Sequence, residues 1–434
     1  MSLDSYLVSG AKIYGEGVQD IRIVNGKISE IGTDLVPGDQ VIVQAEGLIC
    51  LPSFVDLHTH LREPGREDAE TIASGSKAAT LGGFSAVFAM ANTSPVADTA
   101  GVVEQVWRIG REVGLVEVIP IGAVSVGLRG ESLAELGAMA TSAAGVSVFS
   151  DDGHCVFDPL LMRRALEYVK TFDGVIAQHA QDPRLTQGSQ MNEGELSGVL
   201  GLTGWPAVAE EAIIARDVLL ASHVDSRLHI CHVSTAGSVA IIRWAKEMGV
   251  RVTAEVTPHH LLLTEDLVRD FDPVYKVNPP LRTRADTLAL REALADGTID
   301  IVATDHAPHP HEAKDCEWDS AAFGMLGLET ALGVVVAAMA DMADTHNWNW
   351  RVLSNRMSTA PARIGRAVNH GRPIAVGEPA NLVLINPSAE YLVIPDTLAS
   401  LSGNTPYAGM KLPVSITDVF HRGIHQVKGG AING

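Results

Sequence analysis

The sequence predicts a closed barrel of eight parallel strands, each followed by a helix, with a small β-sandwich domain formed by both chain ends. Three observations lead there. Eight short apolar segments recur through the middle of the chain. The stretches between them have helical character and mostly stop at glycine. Both termini read instead as short strands and turns. Strand–helix alternation is the mark of a parallel α/β fold, and eight repeats close a barrel. An open doubly wound sheet would more often follow its first strand with a glycine-rich phosphate turn. Here that position carries His58-Thr59-His60.

The chain opens with strand-like runs at 6–10, 21–28 and 41–43. Asn25-Gly26 joins two alternating segments and signals a hairpin. Similar runs return at 381–385, 392–394, 414–416 and 419–421. Residues 1–51 and 368–434 are therefore expected to form the small domain, and 52–367 the barrel. The eight barrel strands are placed at 53–57, 84–90, 116–123, 146–149, 174–177, 227–231, 251–256 and 299–303. All are nearly continuously apolar, as strands covered on both faces must be. Helices are expected over 69–81, 102–113, 133–144, 159–172, 207–221, 238–248, 284–296 and 329–344, most of them followed by glycine. The connections from His179 to residue 207 and from His306 to Leu328 are long. Loops of that length in a compact barrel usually carry function.

Net charge is −20. So acidic a surface repels phosphate backbones, and nucleic acid is not an expected partner. The N-terminus lacks the pattern of a signal peptide, and no apolar run approaches a membrane span. Cys50, Cys155, Cys231 and Cys316 are scattered, which suits reduced thiols in the cytoplasm, and Cys155 and Cys231 read as small buried packing groups.

The chemistry sits where the strands end. Strand one ends in His58 and His60, two residues apart and so on one face. Strand two ends in Asn92-Thr93, strand four in Asp151-Asp152-Gly153, strand five in His179, strand six in His232, and strand eight in Asp305-His306-Ala307-Pro308-His309. A lone histidine is usually a satisfied core or surface group. Several imidazoles and carboxylates meeting at the C-terminal mouth of a barrel instead read as a metal site. Imidazole and carboxylate donors suit zinc or a similar divalent ion. Four histidines and two aspartates exceed what one tetrahedral ion with an open position needs. They suit two ions ~3.5 Å apart sharing a carboxylate and a hydroxide. His259-His260 is not counted among the ligands, and Trp348 and Trp350 read as packing groups.

The run His58-Thr59-His60-Leu61-Arg62-Glu63-Pro64-Gly65 closely resembles that of bacterial type I dihydroorotases of the amidohydrolase superfamily. Asn92-Thr93, Asp151-Asp152-Gly153, His232-Val233-Ser234-Thr235, Lys276-Val277-Asn278-Pro279-Pro280-Leu281-Arg282 and Asp305 to His309 extend the resemblance over nearly the whole chain. It implies reversible, zinc-dependent cyclisation of N-carbamoyl-L-aspartate to L-dihydroorotate in pyrimidine synthesis. By the same resemblance, His58, His60 and Asp305 hold the first Zn2+, and His179 and His232 the second. One aspartate of the Asp151-Asp152 pair bridges them with a hydroxide. Relatives that bridge with a carboxylated lysine find no counterpart here, since no lysine lies between Lys77 and Lys170. The aspartate-bridged branch favours Asp152, leaving Asp151 to orient the turn or a ligand. Asp305 is also the general acid–base, taking a proton from the hydroxide and giving it to the leaving nitrogen. Arg62 clamps the substrate carboxylate with Asn92, His309 and His60 beside it. Asn278 takes the ring amide edge, and the backbone of Phe323-Gly324 covers the ring. For Arg62 the plainer alternative is a surface ion pair with Glu63 or Glu67.

Two other functions compete: a different cyclic amidase (allantoinase or dihydropyrimidinase) and a metal-free scaffold for aspartate carbamoyltransferase. The first would lack the carboxylate clamp and the second several ligands. A small-molecule substrate and a homodimer are expected, and the resemblance also allows association with aspartate carbamoyltransferase.

Overall fold

The computed structural model describes residues 5–433. Among them, the eight expected segments all form parallel strands, at Phe54–Thr59, Phe84–Ala89, Glu117–Pro120, Val148–Phe149, Val175–Gln178, Leu228–Ile230, Val252–Val256 and Ile301–Val302. The first three pair in order, as do the last five. Isolated parallel bridges, Gly122 to Phe149 and Thr59 to His306, join the two runs and close the barrel. Its interior is apolar: Val55, Leu57, Phe88, Ile121, Val148, Val175, Ala177 and Ile301 pack together there.

The N-terminal end of the barrel is plugged by a segment the sequence did not reveal. Trp350–Ser354, a π-helical turn at Asn355–Thr359, and Ala360–Gly365 run across it. Ile364 joins the interior cluster. Hydrogen bonds tie this plug to residues just before several strands. Ser358 donates to the Ser53 carbonyl at 2.6 Å, Ser147 to that of Gly365 at 2.6 Å, and Arg227 to that of Ile364 at 2.6 Å. Chemistry is thereby confined to the opposite mouth.

The helices follow expectation with local exceptions. Arg284–Asp296 has the expected bounds, with Gly297 beyond it at φ 92°. The first begins at Ile72, because the Thr71 side chain accepts from Ser74 N–H and caps it there. The third shrinks to Leu136–Thr141. Leu133 is taken by a bridge to Ser125, and the N–H of Ala134 donates to the Val124 carbonyl, which keeps 133–135 out of the helix. The expected helix at 329–344 is broken into Ala331–Ala338 and short turns after it.

Both termini share one sheet of nine strands. Its order is Ala431–Ile432, Ile424–Lys428, Lys411–His421, Leu382–Leu392, Ile49–Pro52, Tyr6–Ile13, Val18–Val24 and Lys27–Gly32, with Val41–Gln44 also on Tyr6–Ile13. The N-terminal half of Tyr6–Ile13 pairs with Val41–Gln44, and its C-terminal end pairs with Ile49–Pro52. The sheet therefore branches at that strand, over a core of Val8, Ile21, Ile23, Leu382, Leu384 and Phe420. The strand expected at 392–394 is instead the end of Leu382–Leu392 and the residues after it.

Candidate metal centre

Strand one is locked to strand eight before either reaches the mouth. The buried Asp56 carboxylate accepts from the Thr304 N–H at 2.9 Å and the Thr59 hydroxyl at 2.8 Å. The His60 N–H donates to the His306 carbonyl at 2.9 Å. This register brings His58 and His60 beside Asp305.

Asp152 stands at the centre. Its Oδ1 lies 3.3 Å from His58 Nε2, 3.3 Å from His179 Nδ1 and 3.5 Å from His232 Nε2. Its Oδ2 lies 3.3 Å from His60 Nε2. Asp305 Oδ1 is 3.0 Å from His60 Nε2 and 3.4 Å from His58 Nε2. Ligand-capable atoms of His58, His60 and Asp152 lie within 4.8 Å of one another, and so do those of Asp152, His179 and His232. The two groups share Asp152. The structure thus places its carboxylate between the imidazoles. Asp151 turns away and accepts from the N–H groups of Val124 and Ser125 at 2.8 and 2.9 Å.

Three of the four rings, those of His58, His60 and His179, are held from behind, which fixes the nitrogen each presents. His58 Nδ1 is 2.7 Å from Glu255 Oε1, so Nε2 faces the centre. His60 Nδ1 is 3.0 Å from Asn92 Oδ1. His179 turns Nε2 to Gln181 Oε1 at 2.7 Å and presents Nδ1. His58 Nε2 and Asp152 Oδ1 are buried and make no hydrogen bond. Buried polar atoms are costly unless satisfied, and an imidazole lone pair facing a carboxylate oxygen is a donor set for a divalent cation. The residues therefore fit a metal.

The electrostatics mark a centre that favours positive charge. Burial alone would push the Asp152 carboxyl up, but His58, His179 and His232 hold it well below the usual carboxylate range. Burial works against a charged His58, yet Asp152, Asp305 and Glu255 raise its pKa well above the ordinary value. Glu255 is held at about 2 despite burial, by His58 and His229. Three residues here take left-handed backbone: Arg62 at φ 61°, His232 at 32° and Asp305 at 46°. Such positions cost ~1–3 kcal/mol each and concentrate at functional sites.

A cavity of about 230 Å³ opens over this centre, lined by His60, Asp152, His179, His232 and Asp305 on the floor and by Arg62, Asn92, Asn278, His309, Phe323 and Gly324 on the walls. His58 lies beneath, fully buried. Arg62 donates Nε–H to the Pro308 carbonyl at 3.1 Å. The carboxylates of Glu63 and Glu67 are engaged elsewhere, on the N–H groups of Ile72 and Gly65 at 2.8 Å each. The surface ion pair considered for Arg62 is not formed. Burial and the nearby Arg62 charge lower His309 to about 3, so its ring is neutral at pH 7. It donates Nε2–H to the Phe323 carbonyl at 2.7 Å. Gly324, at φ 143°, passes so close that a Cβ there would lie 2.7 Å from His309 Nε2.

Every residue expected at the site converges here, with Asp151 apart. Sequence reasoning missed Glu255, His229 and Gln181. A signal existed for the first two: each is a polar residue between two apolar strand residues, in Ala254-Glu255-Val256 and Leu228-His229-Ile230. His259 and His260 are buried beyond the lining, His260 with its ring on Thr257 Oγ1 at 2.7 Å and the Pro279 carbonyl at 3.1 Å. All four cysteines are free, and Cys50, Cys155 and Cys231 are buried.

Residues 47–238 match the family model described as "Dihydro-orotase-like". A dihydroorotase of Streptomyces coelicolor is 64% identical over 96% of this chain and 97% of its own length. One from Mycobacterium tuberculosis is 53% identical over 99% of both. Among solved structures, the L-hydantoinase of Arthrobacter aurescens superposes with a TM-score of 0.88 at 23% identity, over 100% of this chain and 98% of that one. The dihydropyrimidinase of Brevibacillus agri gives 0.85 at 21%, over 99% and 96%. These two carry the barrel-plus-sandwich fold. The full-length identities to the two dihydroorotases carry more than fold, and by them this chain belongs to the dihydroorotase family.

Proposed function

We propose that this chain is a metal-dependent cyclic amidohydrolase that interconverts L-dihydroorotate and N-carbamoyl-L-aspartate, the ring-closing step of pyrimidine synthesis. One observation supports this above others: the imidazole and carboxylate cluster shares its cavity with the guanidinium of Arg62. A metal centre hydrolyses amides, and a cationic fork selects a substrate that carries a carboxylate.

In this reading the centre would take two zinc ions. His58, His60 and Asp305 would hold the first, His179 and His232 the second, and Asp152 would bridge them. Such a pair would polarise the ring carbonyl and bring the pKa of a water to ~7. Asp305, kept ionised by His58, His60 and His232 in spite of its burial, accepts a proton from the attacking water. It returns that proton to the ring nitrogen as the C–N bond breaks. Arg62, Asn92 and His309 orient the substrate carboxylate. Asn278 has a buried Oδ1 without a hydrogen bond, suited to the ring N–H. The backbone at Phe323-Gly324 covers the ring and excludes water.

The barrel is taken as 52–367 and the sandwich as 1–51 with 368–434. A homodimer working in the cytoplasm is part of the same proposal, and so is association with aspartate carbamoyltransferase, which co-elution tests directly. Among the described residues, no helix is long and apolar enough to cross a membrane. The deciding assay is hydrolysis of dihydroorotate by zinc-loaded protein, beside hydantoin and dihydrouracil. Turnover of dihydroorotate alone is expected, and its loss in Asp305→Ala with zinc retained at the second position. Turnover of hydantoin or dihydrouracil with none of dihydroorotate would overturn the assignment in favour of another cyclic amidase. Zinc binding with no turnover of any of the three would leave the scaffold reading.

A further inference from the structure

Strand seven carries a carboxylate into the wall behind the metal centre. Glu255 is 1% exposed. Its Oε1 accepts from His58 Nδ1 at 2.7 Å and from the backbone N–H of His232 at 3.2 Å. Its Oε2 takes His229 Nε2 at 2.9 Å, and His229 Nδ1 meets Thr253 Oγ1 at 2.8 Å. Those contacts reach both halves of the centre. His58 belongs to the group on one side of Asp152, and His232 to the group on the other.

The backbone explains why a side chain is needed at this point. Strands six and seven pair from Leu228–Val252 to Ile230–Ala254. Beyond that, the chain leaves the ladder at His232, whose φ is 32°. The N–H of Val233 still finds the Glu255 carbonyl at 2.9 Å. The buried N–H of His232 has lost its ladder partner, and the Glu255 carboxylate accepts it instead. The same oxygen fixes the His58 tautomer. With Nδ1 carrying the hydrogen, Nε2 keeps its lone pair toward Asp152, and a carboxylate behind an imidazole makes that lone pair a stronger ligand.

We infer that Glu255 is a positioning residue that sets the metal affinity of both halves of the centre at once, with His229 holding it in place. A further group of His58, Cys231 and Glu255 also lies within ligand distance. It is not a separate site, because His58 Nδ1 already bonds Glu255, and burial pushes the Cys231 thiol up and keeps it protonated.

This inference rests on the two-metal reading, and its test separates the two. Wild-type chain and Glu255→Gln are loaded with zinc and dialysed against graded chelator. Zinc per chain is measured by mass spectrometry, and cobalt-loaded samples are compared by visible absorption. Two zinc ions per wild-type chain are expected. Glu255→Gln should release both ions at about 10–100-fold lower chelator strength, with an altered cobalt spectrum. If wild type holds two ions and the variant matches its affinity and spectrum, Glu255 has only a packing role and the inference fails. Failure of wild type to bind zinc would overturn the metal reading instead. Thermal unfolding of both metal-free proteins accounts for general destabilisation, which a packing role would move and a ligand-positioning role need not. Should Glu255→Gln not fold, His229→Gln carries the test. It leaves Glu255 in place without its second imidazole, so a severalfold weaker hold on zinc is expected, and unchanged affinity overturns the inference.

Discussion

Asp151 and Asp152 are neighbours in the chain whose carboxylates serve different parts of the molecule. Asp152 points into the ring of imidazoles, 3.3 Å from both His58 and His179. Asp151 points back and holds the turn at 124–125, taking two backbone N–H groups and the Ser125 hydroxyl. Successive residues at a strand end project to opposite sides, and here one side is the mouth and the other the loop layer.

The pair therefore predicts two different failures. Asp152→Asn should lose zinc and lower dihydroorotate turnover by at least about 10³-fold, since a neutral amide is a poor bridge between cations. Asp151→Asn should keep zinc but unfold more readily, by ~1–3 kcal/mol, because it exchanges one acceptor of a buried set for a donor. Metal analysis beside thermal unfolding separates them. Zinc loss in the Asp151 variant alone would reverse the roles.

Arg62 predicts a change in substrate affinity. Its Nε–H is spent on the Pro308 carbonyl, its Nη2 lies 3.4 Å from His309 Nε2, and the side chain lines the cavity. Arg62→Lys keeps charge but loses the planar pair of donors, so KM for dihydroorotate should rise at least about tenfold, with metal content unchanged. Steady-state kinetics decide it. An unchanged KM would place the carboxylate elsewhere.

The strand ends were legible because each apolar run stops at a polar residue, and parallel strands all point their C-termini to one mouth. That is why His58, His179, His232 and Asp305 could be brought together from sequence alone. The choice between Asp151 and Asp152 was not legible from spacing, since both sit at the same end, and it rested on family resemblance. The plug at 350–365 was also hidden. Its Ile364 packs into the barrel interior, a contact distant in sequence that no local period announces. Helix bounds failed where tertiary pairing overrode propensity, as at Leu133.

Gln181 links metal side to substrate side. Its Oε1 accepts from His179 Nε2 at 2.7 Å and from Asn278 Nδ2 at 3.1 Å, while its own amide donates to Thr186 at 2.9 Å. Gln181→Leu frees both rotors together. A fall of about 10–100-fold in kcat/KM is expected, with weaker zinc retention as well. If either property moves without the other, the link is not shared.

Gly324 predicts a steric effect. A Cβ there would sit 2.7 Å from His309 Nε2, 2.8 Å from Ala307 Cβ and 3.0 Å from the Ala307 carbonyl oxygen, at φ 143°. Gly324→Ala must push back the wall over the substrate ring. KM should rise and stability fall by ~1–3 kcal/mol. Wild-type KM in this variant would show that the segment does not cover the ring.

Glu329 predicts how stability depends on pH. It lines a cavity of about 250 Å³ between Ala331–Ala338 and the terminal strands, with Tyr391 also in the wall. Burial, helped by the charge of Glu70, raises its pKa from 4.5 to about 7, although the N–H groups of Ala399 and Ser400 favour its ionised form. The folded chain therefore binds this proton more tightly than the unfolded chain does. Between pH 4.5 and about 7 the native state carries the extra proton, so stability must fall as pH rises through that window and level off above it. Glu329→Gln keeps an oxygen for the two N–H groups at 399 and 400 and removes the titration. Urea unfolding of the zinc-loaded proteins at pH 5, 6, 7 and 8 should show the variant gaining on wild type by ~1–3 kcal/mol up to about pH 7, then running parallel. A difference independent of pH would mean that the carboxyl ionises alike in the folded and unfolded chain.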